Sequence, residues 1–434
     1  MKTVQITKQI NPHFYDMWLT DKPYIVCKGG RGSFKSSVIS LKLVTMMMNY
    51  ISEGKTVNVI SIRENANYLR DSVYNQILWA IGILNVQNEF RTKVSPLLIQ
   101  HVQSGSTFYF YGANDPMKLK SNIVGNVIAI WFEEFANLKS VDVFDQSVPT
   151  FIRQKPDFID KTKIFISYNP PRNPYSWVNE WITDRETDPD YFIDTSSYLD
   201  DELGFTTEQQ LKLIERYKQT DPDYYRWLYL GEAVGLGTNV YNMKLFKYAD
   251  KIPDDEYLID IFYGMDIGFM RSATACVACG FTNKYNLYLL ETWYYDPSKY
   301  ELKKSPEQQA KGVHAFVEHI TDKYGMYPSN MTLDSADGGL YTQYWNMYNV
   351  QWSKVRKLSE DAMIDRVQDL LAQGRFYVVK DPSNDIFIEE HKKYRWDDQT
   401  IKSDHPHVVK EDDHSVDAFK YLVLDNEQEL GLSV

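Results

Sequence analysis

Lys28-Gly29-Gly30-Arg31-Gly32-Ser33-Phe34-Lys35-Ser36-Ser37 is a glycine-rich run between an apolar segment, Tyr24-Ile25-Val26-Cys27, and a stretch in which Val38, Leu41 and Val44 recur at helical spacing. Strand, glycine loop, Lys-Ser and helix is the order of a phosphate cradle. Small residues let successive backbone N–H groups turn inward on an anion, and the helix N-terminus adds partial positive charge. Lys35 then reaches the terminal phosphates, and Ser36 can hold Mg²⁺. The general pattern G-x-x-x-x-G-K-[ST], counted from Gly29, asks for glycine at position 34, where this chain has Phe34. On this stretch alone, a phosphate cradle and a plain glycine turn between strand and helix are both open.

The segments that follow extend a strand-helix rhythm. Residues 55–63 are β-rich and end on a charge, and residues 68–84 place Leu69, Val73, Ile77 and Ala80 at helical spacing. Such alternation marks a parallel α/β sheet. Short strands at 97–101 and 107–111 flank the turn sequence Gln103-Ser104-Gly105-Ser106. Asn126-Val127-Ile128-Ala129-Ile130-Trp131-Phe132 is a continuous apolar run, as expected of a central strand buried on both faces, and it ends in Glu133-Glu134. Adjacent carboxylates at the end of such a strand are costly unless a cation or a reaction needs them. In a P-loop ATPase the first acid holds the Mg²⁺ hydration shell and the second polarises the attacking water. The bland alternative is a solvated pair opening a helix. Taken with the glycine loop, the pair points to ATP binding. Residues 163–167 form another apolar strand that leaves into Tyr168-Asn169-Pro170-Pro171. Ser167 and Asn169 then stand either where a strand end senses a γ-phosphate or in a simple proline-rich exit loop.

A chain of 434 residues predicts two or three domains. Apolar residues at 43 % supply ample core, and 32 tyrosines with 10 tryptophans add stacking surface to packing mass. A formal net charge of −12 argues against nonspecific coating of nucleic acid, which draws on lysine and arginine. Local basic contacts in a cleft or ring are compatible with it. Three cysteines, Cys27, Cys276 and Cys279, cannot staple a chain of this length, so a reducing cytoplasm is expected. Cys276 and Cys279 have C-x-x-C spacing, but they lie in strand-like sequence with no second pair, which disfavours zinc or redox chemistry. With no apolar h-region at the start and no run of about 18 apolar residues, a soluble, non-secreted protein without a membrane span is expected.

From 177 to 230 the chain turns polar and aromatic, with a helix expected over 207–219. Gly231, Gly235 and Gly237 then punctuate it, predicting a first domain over 1–235, a linker over 236–256 and a second domain over 257–434. The second half opens with an apolar strand, 257–268, that carries Asp266 near its end. Strands at 273–281 and 286–294 follow on short turns, giving an antiparallel meander. A helix over 306–323 precedes Met331-Thr332-Leu333-Asp334-Ser335-Ala336, a short strand that again ends in aspartate. After an amphipathic helix over 360–372, residues 375–396 read as an aromatic, hairpin-like excursion. The last helix places Val416, Phe419, Leu422 and Val423 on the core side, with Asp413, His414 and Asp417 at the edge of that face. The order β-β-β-α-β-α-β-α, with aspartates ending the first and fourth strands and acids on the last helix, is that of an RNase H-like nuclease. There, carboxylates converge on two divalent cations about 4 Å apart. Mg²⁺ or Mn²⁺ suits such oxygen ligands, and a histidine shifts the preference toward Mn²⁺. Glu291, on the third strand, is either an extra ligand or a strand-face acid.

An N-terminal P-loop NTPase domain with a parallel central sheet, followed by an RNase H-like domain with a mixed sheet, resembles the large subunit of tailed-phage terminases over nearly the whole chain. Residues 29–36 are similar to that family's GGRGS-x-KS loop, in which position 34 is commonly not glycine. Trp131-Phe132-Glu133-Glu134 resembles its Walker B segment, and Ser167-Tyr168-Asn169-Pro170 sits where its coupling motif lies. Asp334-Ser335-Ala336 and Asp413-His414-Ser415-Val416-Asp417-Ala418 resemble its nuclease signatures. The resemblance implies that Gly29, Gly30, Arg31, Gly32, Ser33, Lys35, Ser36, Ser37 and Glu133 hold ATP and its Mg²⁺. Glu134 and Arg31 would then act in hydrolysis. It implies a second site of Asp266, Asp334 and Asp417 with His414 in the metal set, Asp413 being the alternative third ligand. It further implies ATP-driven movement of double-stranded DNA into a procapsid and metal-dependent cutting of concatemeric DNA in the host cytoplasm. A portal protein, a small terminase subunit and a homo-oligomeric ring would be the partners. An ATP-dependent repair or recombination nuclease built from the same modules is the alternative, and a scaffold with a dead ATPase is a weaker one.

Overall fold

The apolar run ending in Glu133 is the middle of a sheet and sets the architecture of the first half. The computed structural model describes residues 4–113, 124–235, 237–268, 272–334 and 339–432. The chain divides into two compact units, residues 1–214 with 223–235 and residues 215–222 with 236–434.

In the first unit, eight strands are β1 (Tyr24–Gly29), β2 (Asn58–Arg63), β3 (Phe90–Val94), β4 (Leu97–His101), β5 (Thr107–Gly112), β6 (Val127–Glu133), β7 (Lys163–Tyr168) and β8 (Tyr191–Ser196). Their order is β3-β4-β5-β2-β6-β7-β1-β8, parallel from β5 through β8, with β3 and β4 added antiparallel at one edge. All seven residues of β6 are buried, and its side chains alternate between two cores. Ala129 and Trp131 face helices α2 (Lys35–Ser52) and α3 (Asn75–Ile83), behind a short α1 (Tyr15–Leu19). Ile130 and Phe132 face α4 (Val141–Ile152) and α5 (Trp177–Thr183). Trp131 is fully buried and donates its indole N–H to Ser167 Oγ at 2.9 Å, so burial leaves no lone donor there. The helix expected over 68–84 is broken into a 3₁₀ turn at Ala66–Tyr68, a π turn at Arg70–Tyr74 and α3. The wide turn is what lets both Val73 and Tyr74 reach the core. Helices α6 (Glu208–Thr220), whose residues from 215 on belong to the second unit, and α7 (Pro222–Leu230) follow.

The second unit is a seven-stranded mixed sheet of β9 (Lys247–Ala249), β10 (Leu258–Asp266), β11 (Thr274–Thr282), β12 (Leu287–Tyr295), β13 (Asn330–Leu333), β14 (Ser353–Lys354) and β15 (Phe376–Val379), in the order β14-β13-β10-β11-β12-β15-β9. β10, β11 and β12 form the expected antiparallel meander, and β13 and β15 join it in parallel. Helices α8 (Pro306–Tyr324) and α9 (Gly339–Tyr348) cover one face. The other is covered by α10 (Glu360–Ala372), α11 (Asp385–Lys393) and α12 (His414–Asp425). Two expectations change here. Within the stretch expected as a linker, Lys247–Ala249 forms β9 paired to β15, and Val240, Tyr241 and Phe246 are in the core. Segment 375–396 is a strand and a helix rather than a hairpin, because Phe387, Ile388 and His391 share one helical face buried on α12. Cys276 and Cys279 fall on opposite faces of β11 in separate cores, so the C-x-x-C pair cannot act as a unit. No described helix is long and apolar enough to cross a membrane.

Gly264 is the point where β10 meets α12. A Cβ there would lie 2.1 Å from Ala418 O and 2.8 Å from Leu422 Cβ. Gly264→Ala should therefore push α12 off the sheet at a cost of about 1–3 kcal/mol, lowering the unfolding midpoint by calorimetry. An unchanged melt would contradict this close approach.

Candidate functional site

Each unit gathers its unusual charges at one end of its sheet. In the first, β1 runs between β7 and β8 and gives way to the glycine loop at Gly29. A Cβ on Gly29 would sit 1.8 Å from Ser196 O and one on Gly30 1.9 Å from Tyr229 O, so no side chain is tolerated at either. Backbone N–H groups of Gly30 and Arg31 donate to Ser196 O and Leu228 O at 3.0 and 2.7 Å, fixing the start of the loop. Gly32 has φ 73 and opens on free space. Phe34, where the general motif asks for glycine, has φ 66, the left-handed backbone that glycine would supply. That conformation costs about 1 kcal/mol for a residue with a side chain. Edge-on packing of its ring against Phe205, 5.7 Å between centroids, offsets a similar amount, about 0.5–1.5 kcal/mol. The phosphate-loop backbone is thus kept with a different side chain.

Lys35 opens α2 with its ammonium buried. Nζ donates to Ser33 Oγ and Asn169 Oδ1 at 2.8 Å and approaches Gly30 O at 2.9 Å and Gly29 O at 3.0 Å. Burial lowers its pKa to about 8 against the opposing pull of Glu134. Glu133 ends β6, and Arg63 Nε at the end of the adjacent β2 stands 3.1 Å from its Oε2. Burial first, and the charge of Glu134 next, raise the Glu133 carboxyl above the usual range. Glu134 leaves the strand with φ 51, another strained left-handed residue. Asp194 of β8, whose Oδ1 lies 2.9 Å from His13 Nε2, adds negative potential near Lys35. The sequence-derived residues Gly29, Gly30, Ser33, Lys35, Glu133, Glu134 and Asn169 are therefore brought together. Ser36 occupies the first turn of α2, and Ser37 Oγ is 3.4 Å from Gln76 Nε2 on the side toward α3. A buried ammonium held, among the described residues, by hydrogen bonds to neutral oxygens, an open left-handed glycine and the donor-rich start of an 18-residue helix fit a polyphosphate anion. The raised acid at Glu133 fits a bound cation beside it.

In the second unit the pairing of Met265 with Leu333 sets Asp266 and Asp334 at adjacent strand ends. α12 starts beside them. His414 Nδ1 is 2.8 Å from Asp266 Oδ2, and Lys357 Nζ donates to Asp334 Oδ2 at 2.8 Å. Lys420 Nζ is 2.6 Å from Asp417 Oδ1, and Lys410 Nζ lies 3.3 Å from Asp413 and 3.5 Å from Asp417. Burial raises the Asp266 carboxyl, with Asp417 and Asp334 adding to it and His414 opposing. Burial and then Asp417 do the same to Asp413. Burial disfavours the His414 cation, but its hydrogen bond to Asp266 together with the charges of Asp266, Glu390 and Asp413 outweighs that and keeps its pKa above the ordinary value. Asp266, Asp334, Asp413, His414 and Asp417 thus converge, but as pairs with cations: among the described residues no three His, Cys, Asp or Glu side chains form a closed metal cluster. Crowded carboxylates and one imidazole are nonetheless a donor set that fits a hard divalent cation. Ser335 and Ala336 lie outside the described residues. Glu291 belongs elsewhere, accepting from Lys323 Nζ at 2.6 Å and standing 3.2 Å from His319 Nε2 of α8.

Sequence reading missed the groups that hold these acids. Lys420 is buried and bonds Glu360, Asp417 and Tyr394, and it pulls Glu360 down to about 2 against the effect of burial. Glu390 accepts from the Ser415 backbone N–H at 2.6 Å and from Tyr294 OH at 2.7 Å, pinning the first turn of α12. Only Arg63 carries a legible signal, a charge closing a strand next to the one that ends in Glu133.

Comparison with known proteins follows the same division. A family model described as phage terminase large subunit matches residues 21–232, and one described as terminase RNAseH like domain matches residues 266–425. The large terminase subunit of Bacillus phage SPP1 is 29% identical over 309 residues, 69% of this chain and 68% of that protein. The large terminase of a thermophilic bacteriophage superposes with a TM-score of 0.74 at 18% identity, covering 96% of this chain and 98% of that one. A structure of the same thermophilic phage protein in complex with ATP-gamma-S gives 0.72 at 18% identity, covering 95% and 98%. At that identity the likeness is one of fold.

The depressed Lys35 ammonium gives a pH test. A bound triphosphate favours the charged form, so above the free-state value of about 8 binding must take up a proton and weaken as pH rises. Titration calorimetry at about pH 8.5 in two buffers of different ionisation heat should show proton uptake on nucleotide binding. Equal heats in both buffers would remove Lys35 from the phosphate site.

Proposed function

This chain belongs to the phage terminase large-subunit family, and from that premise we propose that it is an ATP-driven packaging motor and a metal-dependent DNA endonuclease in one polypeptide. The first unit, to residue 235, hydrolyses ATP and drives double-stranded DNA through a portal into a preformed capsid. The RNase H-like half, residues 257–434, cuts concatemeric DNA at the start and end of packaging. The observation that carries the motor is the Lys35 cluster at the end of β1, with Glu133 and Glu134 one strand beyond β7. The thermophilic phage terminase in complex with ATP-gamma-S, a chain of the same fold, supports the choice of nucleotide.

Gly29 through Ser37 cradle the phosphates, with Lys35 exchanging neutral oxygens for phosphate oxygens. Ser36 and Glu133 hold the nucleotide's Mg²⁺, and Glu134, turned out of β6 by its left-handed backbone, orients the attacking water. Arg31 is the candidate to steady charge on the transferring γ-phosphate. Asn169 bonds Lys35 from the end of β7, so loss of a phosphate from the cradle is felt directly on that strand. In the nuclease, Asp266, Asp334 and Asp417 are the ligands for divalent cations, Mg²⁺ or Mn²⁺, with His414 or Asp413 completing the set. Bound there, such cations supply an activated water and neutralise the leaving oxygen. Lys410 and Lys357 hold these carboxylates apart from one another until then, and Lys420 fixes Asp417 from behind. A small terminase subunit and a homo-oligomeric ring on the portal complete the machine.

Two variants separate the activities. Lys35→Ala should lower ATP turnover by at least about a hundredfold, and a phosphate-release assay with normal turnover would refute the cradle. Asp266→Ala should lose Mn²⁺- or Mg²⁺-dependent cleavage of plasmid DNA while keeping ATP hydrolysis. Undiminished cutting would sink the nuclease assignment.

A further inference from the structure

Carboxylates that must act on DNA face a substrate of the same sign. Asp266, Asp334, Asp413 and Asp417 lie in a chain of net charge −12, so a phosphate backbone is repelled from the site unless fixed cations hold it there. One surface segment next to the site has the right composition. Residues 297–304, Pro297-Ser298-Lys299-Tyr300-Glu301-Leu302-Lys303-Lys304, contain three lysines against one glutamate.

Sheet register fixes its position. Asp266 of β10 pairs with Ala275 of β11, and Ala275 pairs with Tyr294 of β12, so the segment leaving β12 emerges at the carboxylate end of the sheet. Residues flanking it on both sides are hydrogen-bonded into this neighbourhood. Tyr294 OH donates to Glu390, which receives the Ser415 N–H next to His414. Gln309, early in α8, accepts from Thr274 Oγ1 at 3.1 Å, and that threonine side chain receives the Gly268 N–H at 3.1 Å, two residues after Asp266. The Asp296 carboxyl is depressed by its bonds with Ser298, then by the Lys299 ammonium 3.8 Å away and by His414.

The segment is built, not loose. Asp296 caps the turn through Ser298, Pro297 is buried, and Ser305 closes it with a capping box on α8. Tyr295 is buried. Its OH accepts the Lys304 N–H at 2.7 Å, and its ring stacks on Tyr300, 5.5 Å between centroids. Lys304 Nζ stands 4.8 Å from the Tyr295 ring centroid and 5.9 Å from that of Trp293, with no carboxylate within ion-pair distance among the described residues. Aromatic faces thus hold this ammonium in place without neutralising it. At the tip, Leu302 is 91% exposed and Tyr300 54% exposed, apolar surface turned to solvent.

We propose that residues 297–304 are the double-stranded DNA grip of the nuclease, with Lys299, Lys303 and Lys304 on backbone phosphates and Tyr300 and Leu302 against the sugars of the groove wall. The proposal rests on the nuclease reading above. A rigid, basic and apolar-tipped turn beside an acid-lined site matches the alternating charge and hydrocarbon of a nucleic-acid backbone.

The test uses the full chain with all three lysines changed to alanine and, in parallel, to arginine. Binding to a short blunt duplex is measured with Asp266→Asn added so that nothing is cut, and cleavage is measured without it. Each phosphate that is no longer neutralised lowers the slope of log affinity against log salt by about 0.9, so the alanine variant should show a slope smaller by about 2–3. Its cleavage should fall at least about tenfold at physiological salt and recover at low salt, where the remaining charges suffice for occupancy. The arginine variant should keep both slope and cleavage, and ATP turnover should be unaffected throughout. An unchanged slope and cleavage in the alanine variant, with the parent chain binding and cutting, overturns the grip and leaves the nuclease standing. An arginine variant as defective as the alanine one also overturns it, since charge would then not be what the segment supplies. A parent chain that neither binds nor cuts duplex DNA overturns the nuclease reading and the grip with it.

Discussion

A buried ammonium must be satisfied or it is not tolerated, and the first unit is arranged around that requirement at Lys35. Removing such a charge from water costs several kcal/mol unless oxygens replace the lost hydration. Four of them do, and they come from the loop itself and from the end of β7. Two of the four are the carbonyls of Gly29 and Gly30, residues that must lack side chains because the Ser196 and Tyr229 carbonyls press against their α-carbons. That demand explains the depressed pKa, since neutral oxygens solvate the cation less well than water does. A phosphate entering this cradle meets donors already in place, so little binding energy is spent on ordering them.

The second unit meets the same problem with the sign reversed. Its strand ends and the start of α12 crowd carboxylates, burial and that crowding raise the Asp266 and Asp413 carboxyls, and lysines and a histidine are placed to offset the crowding. The N-terminus of α12 contributes partial positive charge to Asp413 and Asp417. Lys420 and Glu390, both buried, act one layer behind the acids, the former tied to Asp417 and the latter to the first turn of the helix. Such outer groups fix the direction of a ligand and so decide how well a site holds its ion.

Much of this is legible in the chain. Residues 126–133 read as a central strand because they are apolar without alternation, and β6 is buried along its whole length. The meander of β10 to β12 and the helices α8, α10 and α12 follow from periodicity within local windows. Phe34 is the one apparent misfit in the glycine loop, and its positive φ shows that the backbone rule is obeyed while the composition rule is broken. What stays hidden is pairing between distant segments. Nothing local marks Lys420 as the partner of Glu360, sixty residues earlier, or ties Glu390 to Ser415. Residues 236–256 read as a linker because glycines precede them, yet Tyr241 and Phe246 are core residues whose partners lie more than a hundred positions away. Aromatic density in segment 375–396 suggests strands, whereas the spacing of Phe387 and His391 is helical.

The most direct measurement is the packaging reaction itself. The purified chain would be combined with empty portal-bearing capsids, the small subunit, linear double-stranded DNA and ATP, and the DNA surviving an added nuclease would be measured over time. Protected DNA that lengthens with time and requires ATP hydrolysis is the expected result. Steady hydrolysis of ATP in that mixture with no DNA becoming protected would contradict the assignment of this chain as the motor.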